Sequence, residues 1–133
     1  MVKLICDFSF CSHYVENFFS DDNRASANII NKAISFHLDN NKILLIPHYV
    51  LDRLEAVYPG RRLVLETLID VCEIVNIDGK EPTDTLMKIA TISKIFDKET
   101  YIVTEDSSVV KTLKERKCDT EAISIENALS KIS

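Results

Sequence analysis

Three aspartates stand where short apolar runs give way to helical patterns. Asp7 closes Val2-Lys3-Leu4-Ile5-Cys6, Asp84 opens the stretch after Glu81-Pro82-Thr83, and Asp106 follows Tyr101-Ile102-Val103-Thr104. Carboxylates are hard oxygen ligands, so a cluster of them drawn from distant segments would bind a divalent cation such as Mg²⁺ or Mn²⁺. An ion that keeps exchangeable waters stabilises charge on phosphoryl oxygens and activates water at neutral pH, which is what phosphodiester hydrolysis requires. A purely structural role is also open to two of the three: Asp84 in a first helical turn favours the helix dipole, and Asp106 is placed to cap the next helix. Asp7 is different, because a carboxylate after a mostly apolar run is expected to be partly buried and to need a partner.

For these groups to meet, distant strand ends must reach one edge. An open parallel sheet does this, since ligands gather outside the carboxyl ends of its strands. Residues 2–6, 43–46, 72–77 and 101–104 are short, nearly all apolar runs suited to strands buried on both faces, and 121–124 is a weaker fifth. Between them Ala25, Ile29, Ile30, Ala33, Phe36 and His37 recur at helical spacing, as do Val50, Leu51, Leu54 and Val57. Pro82 suits the first turn of a helix carrying Leu86, Ile89, Ala90 and Phe96. Further helices are expected over about residues 108–116 and 125–129. This alternation predicts an α/β fold, a three-layer α/β/α sandwich with a mainly parallel central sheet and right-handed crossovers.

A chain of 133 residues, 46% hydrophobic, is expected to form a single domain over 1–133 with a real core. No apolar stretch reaches the roughly 18 residues of a membrane span, and the N-terminus lacks the order of a signal peptide, so a cytoplasmic protein without membrane contact is expected. Cys6, Cys11, Cys72 and Cys118 are scattered without a Cys-x-x-Cys pair and read as reduced thiols, mostly buried. A formal net charge of −5 argues against holding nucleic acid by bulk attraction, though not against a nuclease with an acidic metal site. Arg61, Arg62, Lys111, Lys114, Arg116 and Lys117 could guide phosphates locally, or are solvated surface cations. His13, His37 and His48 have no metal-ligand spacing, and no Gly-rich phosphate loop is present. The early aromatics Phe8, Phe10, Tyr14, Phe18 and Phe19 are assigned to core packing, with a homodimer or antitoxin-binding face as the alternative. Asp21-Asp22-Asn23 reads as an interhelical turn.

Taken in order, Val2 to Asp7, Ile46-Pro47-His48-Tyr49-Val50-Leu51, Asp84 with Ala90, Ile102-Val103-Thr104-Glu105-Asp106 and the ending Cys118 to Leu129 resemble the PIN domain. The resemblance spans nearly the whole chain and lies in the joint order of motifs that are individually short. PIN domains are typically metal-dependent ribonucleases, many of them the toxin half of a toxin–antitoxin pair. The resemblance therefore implies a Mg²⁺- or Mn²⁺-dependent endoribonuclease acting on single-stranded RNA, with an antitoxin protein among its partners. It implies Asp7, Asp84 and Asp106 as catalytic and metal residues, supported by the hydroxyls of Ser9 and Thr104. Phe8 departs from a position commonly held by Thr.

The second motif departs further. Aligning Pro47, Val50 and Leu54 puts Arg53 where the family usually carries a Glu. A helix turns about 100° per residue, so Asp52 and Glu55 point roughly 100° and 200° away and do not replace it. Arg53 could pair with an aspartate and compete with metal, or hold a substrate phosphate in bidentate fashion. The first case leads to the alternative function, a catalytically silent module that binds RNA or a protein. A phosphorylatable receiver domain is a weaker reading, because no acidic pair follows the first strand.

Overall fold

Alternating side-chain direction sorts the apolar strand residues into two cores. In β1 (Lys3–Cys6) Leu4 and Cys6 face one side of the sheet and Ile5 the other. In β2 (Leu44–Pro47) Leu44 and Ile46 share the first side while Leu45 joins Ile5 on the second. Both strands are enclosed on both faces, which is why their sequences are apolar without alternation. These observations come from a computed structural model that describes residues 2–18, 24–38, 41–77 and 79–132.

The remaining elements follow in βα order. After β1 come α1 (Phe8–Glu16) and α2 (Arg24–Leu38); after β2 come α3 (His48–Val57) and α4 (Arg62–Val71). Then follow β3 (Glu73–Val75), α5 (Pro82–Phe96), β4 (Thr100–Val103), α6 (Ser107–Glu115), β5 (Ala122–Ile123) and α7 (Ile125–Ile132). The five strands form one all-parallel sheet in the order β3-β2-β1-β4-β5. Apolar residues of α1, α2, α3, α4 and α7 pack on one face with Leu4, Cys6, Leu44, Ile46, Val103 and Ile123. Those of α5 and α6 cover Ile5, Leu45 and Ile102 on the other, completing a three-layer α/β/α sandwich.

The chain winds outward from β1 to β2 and β3, then returns to lay β4 and β5 on the opposite side of β1. The gap between β1 and β4 is thus the place where strand order reverses, the position at which open α/β sheets form their crevice.

Several boundaries differ from expectation. Cys72 is the C-cap of α4 rather than a strand residue, and β3 is confined to Glu73–Val75, shorter than the apolar run 72–77. Helix α4 was not expected; Val64, Leu65, Leu68 and Val71 form its buried stripe. Helix α7 continues to Ile132. Phe10 and Tyr14 of the early aromatic cluster are buried, consistent with core packing, whereas Phe18 is exposed. Phe19, the Asp21-Asp22-Asn23 segment and the His37 side chain lie outside the described residues. All four cysteines are free, and Cys6, Cys11 and Cys72 are buried. Among the described residues no helix is long and apolar enough to cross a membrane.

Candidate functional site

Parallel register carries Cys6 alongside Val103, so the residues that follow, Asp7 and Thr104, emerge together at the carboxyl edge. Asp7 is the N-cap of α1 and only 3% exposed. Its Oδ1 accepts from Ser9 Oγ at 2.6 Å and from the Phe10 backbone N–H at 3.1 Å. Its Oδ2 accepts from Thr104 Oγ1 at 2.5 Å. The Thr104 hydroxyl oxygen in turn accepts from the Asp106 N–H at 3.0 Å, and the Ser9 hydroxyl oxygen accepts from the Glu105 N–H at 2.8 Å. Ser9 Oγ and Thr104 Oγ1 lie 3.3 Å apart. Two segments 97 positions apart along the chain are thereby locked into one cluster.

Asp106 caps α6, its Oδ1 accepting from Ser108 N–H at 2.9 Å and Ser108 Oγ at 2.7 Å. Those bonds hold its carboxyl below the usual range, with a smaller contribution from the positive charge of Arg53. Asp7 behaves oppositely. Burial raises its pKa, the hydrogen bonds from Ser9, Thr104 and Phe10 oppose that rise, and the neighbouring Asp106 charge adds to it. The same edge includes Tyr49, whose phenol is pushed well above its ordinary value by burial and then by the charge of Asp7. The site is therefore a pair of acids with very different surroundings, one buried among neutral donors and one exposed.

Arg53 lies at the mouth of this edge. Its guanidinium carbon is 3.9 Å from the centroid of the Phe8 ring, and the residue is exposed. Among the described residues no carboxylate forms a salt bridge with it. Asp52 is turned to His48, 3.2 Å away, and Glu55 lines a cleft with Tyr58 and Arg62. Neither takes the place of a carboxylate at position 53.

Asp84 is engaged by a cation. It sits in the first turn of α5, as expected, and its Oδ1 receives Arg116 Nη1 from the end of α6. The second arm of Arg116 reaches Glu81 Oε2 at 2.9 Å. Among the described residues no group of three or more His, Cys, Asp and Glu side chains is gathered to hold a metal ion. The structure thus brings Asp7, Ser9, Thr104, Asp106 and Arg53 to one edge, and pairs Asp84 with a cation that the sequence offered as a phosphate guide.

Tyr49 and Glu105 were not singled out by sequence reasoning. Glu105 accepts the Ile125 N–H at 2.7 Å and so ties the start of α7 to the edge. Tyr49 sits in the Pro47-His48-Tyr49-Val50 motif, and a phenol directly after a strand-to-helix handover was the available signal. The clefts of about 410 Å³ between α3 and α4 and about 350 Å³ between β3 and α5 are lined by other residues. No protein-family model matches this chain, and no curated protein does either.

Proposed function

We propose that this chain is a PIN-like, divalent-metal-dependent endoribonuclease that cleaves single-stranded RNA at the Asp7–Asp106 edge. The observation that carries the reading is the buried Asp7 carboxylate beside a second carboxylate, held by neutral donors at the strand-order reversal. The acceptor positions left open on the two aspartates support a single hard ion. Oδ1 of each aspartate already accepts two hydrogen bonds, while Asp7 Oδ2 accepts one and Asp106 Oδ2 accepts none from the described residues. Two carboxylates are what Mg²⁺ commonly takes from a protein, leaving room for water and substrate phosphate. When bound, such an ion polarises a phosphoryl oxygen and lowers the pKa of its water.

The protein's own contribution is positional. Ser9 and Thr104 fix the rotamer of Asp7, and the α6 cap fixes Asp106. Arg53, close enough to act on Asp106, supplies positive charge for a phosphate where the family pattern has an acid. Asp84 enters as a third ligand only if Arg116 releases it. A cytoplasmic setting, and an antitoxin partner or homodimer, belong to the same reading.

One observation favours a second reading, a silent RNA- or protein-binding module: Arg116 is ion-paired with Asp84; the resemblance adds that Arg53 stands where the family usually carries a Glu. In that reading Arg53→Glu raises Mn²⁺ affinity, and unchanged affinity counts against it. The deciding experiment is cleavage of a labelled single-stranded RNA with Mg²⁺ or Mn²⁺, beside an EDTA control and Asp106→Asn. Cutting that needs metal and is lost in the variant supports the nuclease. A folded protein that cuts none of several substrates sinks it.

A further inference from the structure

The Arg53–Phe8 pair is the least expected feature of the edge. Phe8 follows Asp7 directly and packs in part against the core, and the guanidinium lies 3.9 Å over its ring. Stacking of this kind fixes the plane of a guanidinium, a group that is more weakly hydrated than an ammonium. The guanidinium carbon stands over the ring while the residue as a whole is exposed, which leaves part of the group open to solvent. Unpaired bases stack on such planes, on aromatic rings or on arginine, while the N–H fork takes a phosphate oxygen.

We propose that Arg53, held on Phe8, is a stacking subsite for one unpaired base of a single-stranded nucleic acid, with the adjoining phosphate taken by the guanidinium N–H groups. The inference rests on the nucleic-acid reading of the edge and adds the residue that selects for unpaired bases. Three observations bear on it together. The platform adjoins Asp7 in sequence, Arg53 acts electrostatically on both Asp106 and Tyr49, and no contact ion pair with a described carboxylate spends its charge. A duplex keeps its bases stacked on each other and cannot offer one without unpairing, so the subsite discriminates by strandedness.

The test is metal-free binding, measured in EDTA by fluorescence anisotropy with a short labelled single-stranded RNA, the matching duplex and single-stranded DNA. The wild type is expected to bind the single strand more tightly than the duplex. Arg53→Ala is expected to weaken single-strand binding on the order of tenfold, and Phe8→Leu to weaken it in the same direction. Arg53→Lys keeps the charge and loses the plane, so it should resemble the alanine variant. A lysine variant that binds like wild type, or a duplex bound as tightly as the single strand, overturns the stacking subsite. So does a folded wild type that binds no single strand. DNA bound as tightly as RNA supports the subsite and shows that it does not use the 2′-hydroxyl; preference for RNA supports it and shows that the 2′-hydroxyl is read. Because cleavage is scored separately, binding without cutting leaves this inference standing while the nuclease reading falls. Cutting with binding indifferent to Arg53 does the reverse.

Discussion

Asp7 is a carboxylate that folding has taken out of water and surrounded with neutral donors. Its pKa is raised above the ordinary 3.8, chiefly by burial, so the folded state holds this proton more tightly than the unfolded chain does. The stabilising contribution is complete below the unfolded value and is lost as pH rises through the folded one, above which the charge works against the fold. Asp7→Asn at pH 7 is therefore expected to be as stable as the parent or more stable, by about 0.5–2 kcal/mol. That advantage should shrink below about pH 4, where the parent carboxyl carries its own proton. Urea melts at the two pH values measure the difference, and a clear loss at pH 7 would mean that the three donors outweigh burial. Asp106 separates structure from chemistry in another way. Asn caps a helix as well as Asp does, and Ala does not, so Asp106→Ala should cost about 1 kcal/mol in thermal melts and Asp106→Asn almost nothing. The capping role of Asp106 was legible in the sequence because it depends on neighbours along the chain. The bond from Thr104 to Asp7 was not, since it spans 97 positions and exists only through the β1–β4 register. The pairing of Asp84 with Arg116 was hidden for a similar reason: it depends on how α5 and α6 lie against each other.

Helix α5 shows how a segment before an element fixes its start. Gly79 donates its N–H to Thr85 Oγ1 at 3.0 Å, folding the approach back over the first turn. A Cβ added at Gly79 would stand 2.7 Å from the Thr85 backbone nitrogen and 2.9 Å from Asp84 Cβ, and a backbone atom cannot swing aside. Gly79→Ala is expected to cost about 1–3 kcal/mol, read as a lowered denaturant midpoint. Arg116→Ala, by contrast, removes a partly exposed pair of ion contacts and should cost no more than about 1 kcal/mol. Strands β1, β2 and β4 were readable because burial on both faces leaves an unbroken apolar signature. Helix α4 was overlooked although Val64, Leu65, Leu68 and Val71 carry helical spacing; its N-cap, Arg61, makes no side-chain cap bond, and Arg62 and exposed Leu63 open it without the usual start signal. The apolar run from Cys72 to Ile77 has the composition of a longer strand, but at the sheet edge only Glu73–Val75 finds a partner.

At the scale of the whole molecule the thiols report on the integrity of the packing. Cys6, Cys11 and Cys72 are buried and their thiols are pushed up by that burial, Cys72 to about 12, whereas Cys118 is partly exposed. A water-soluble thiol reagent should label Cys118 quickly in the native protein and the other three only on unfolding; fast labelling of any of those three would show that the face packed by α1 and α4 opens locally. The alternation of strands and helices was enough to foresee the layered α/β class, while the order β3-β2-β1-β4-β5 was not, because identical local patterns serve every order. That order has a temporal consequence. The central strand β1 leaves the ribosome before either neighbour, pairs first with residues about 40 positions later, and gains its other edge only when β4 arrives 97 positions later. Contacts so distant along the chain slow folding and leave an apolar edge open meanwhile. A nascent chain halted before residue 100 would hold β1 half-sheathed and Asp7 without its Thr104, ready to stick to other chains before it could do anything else.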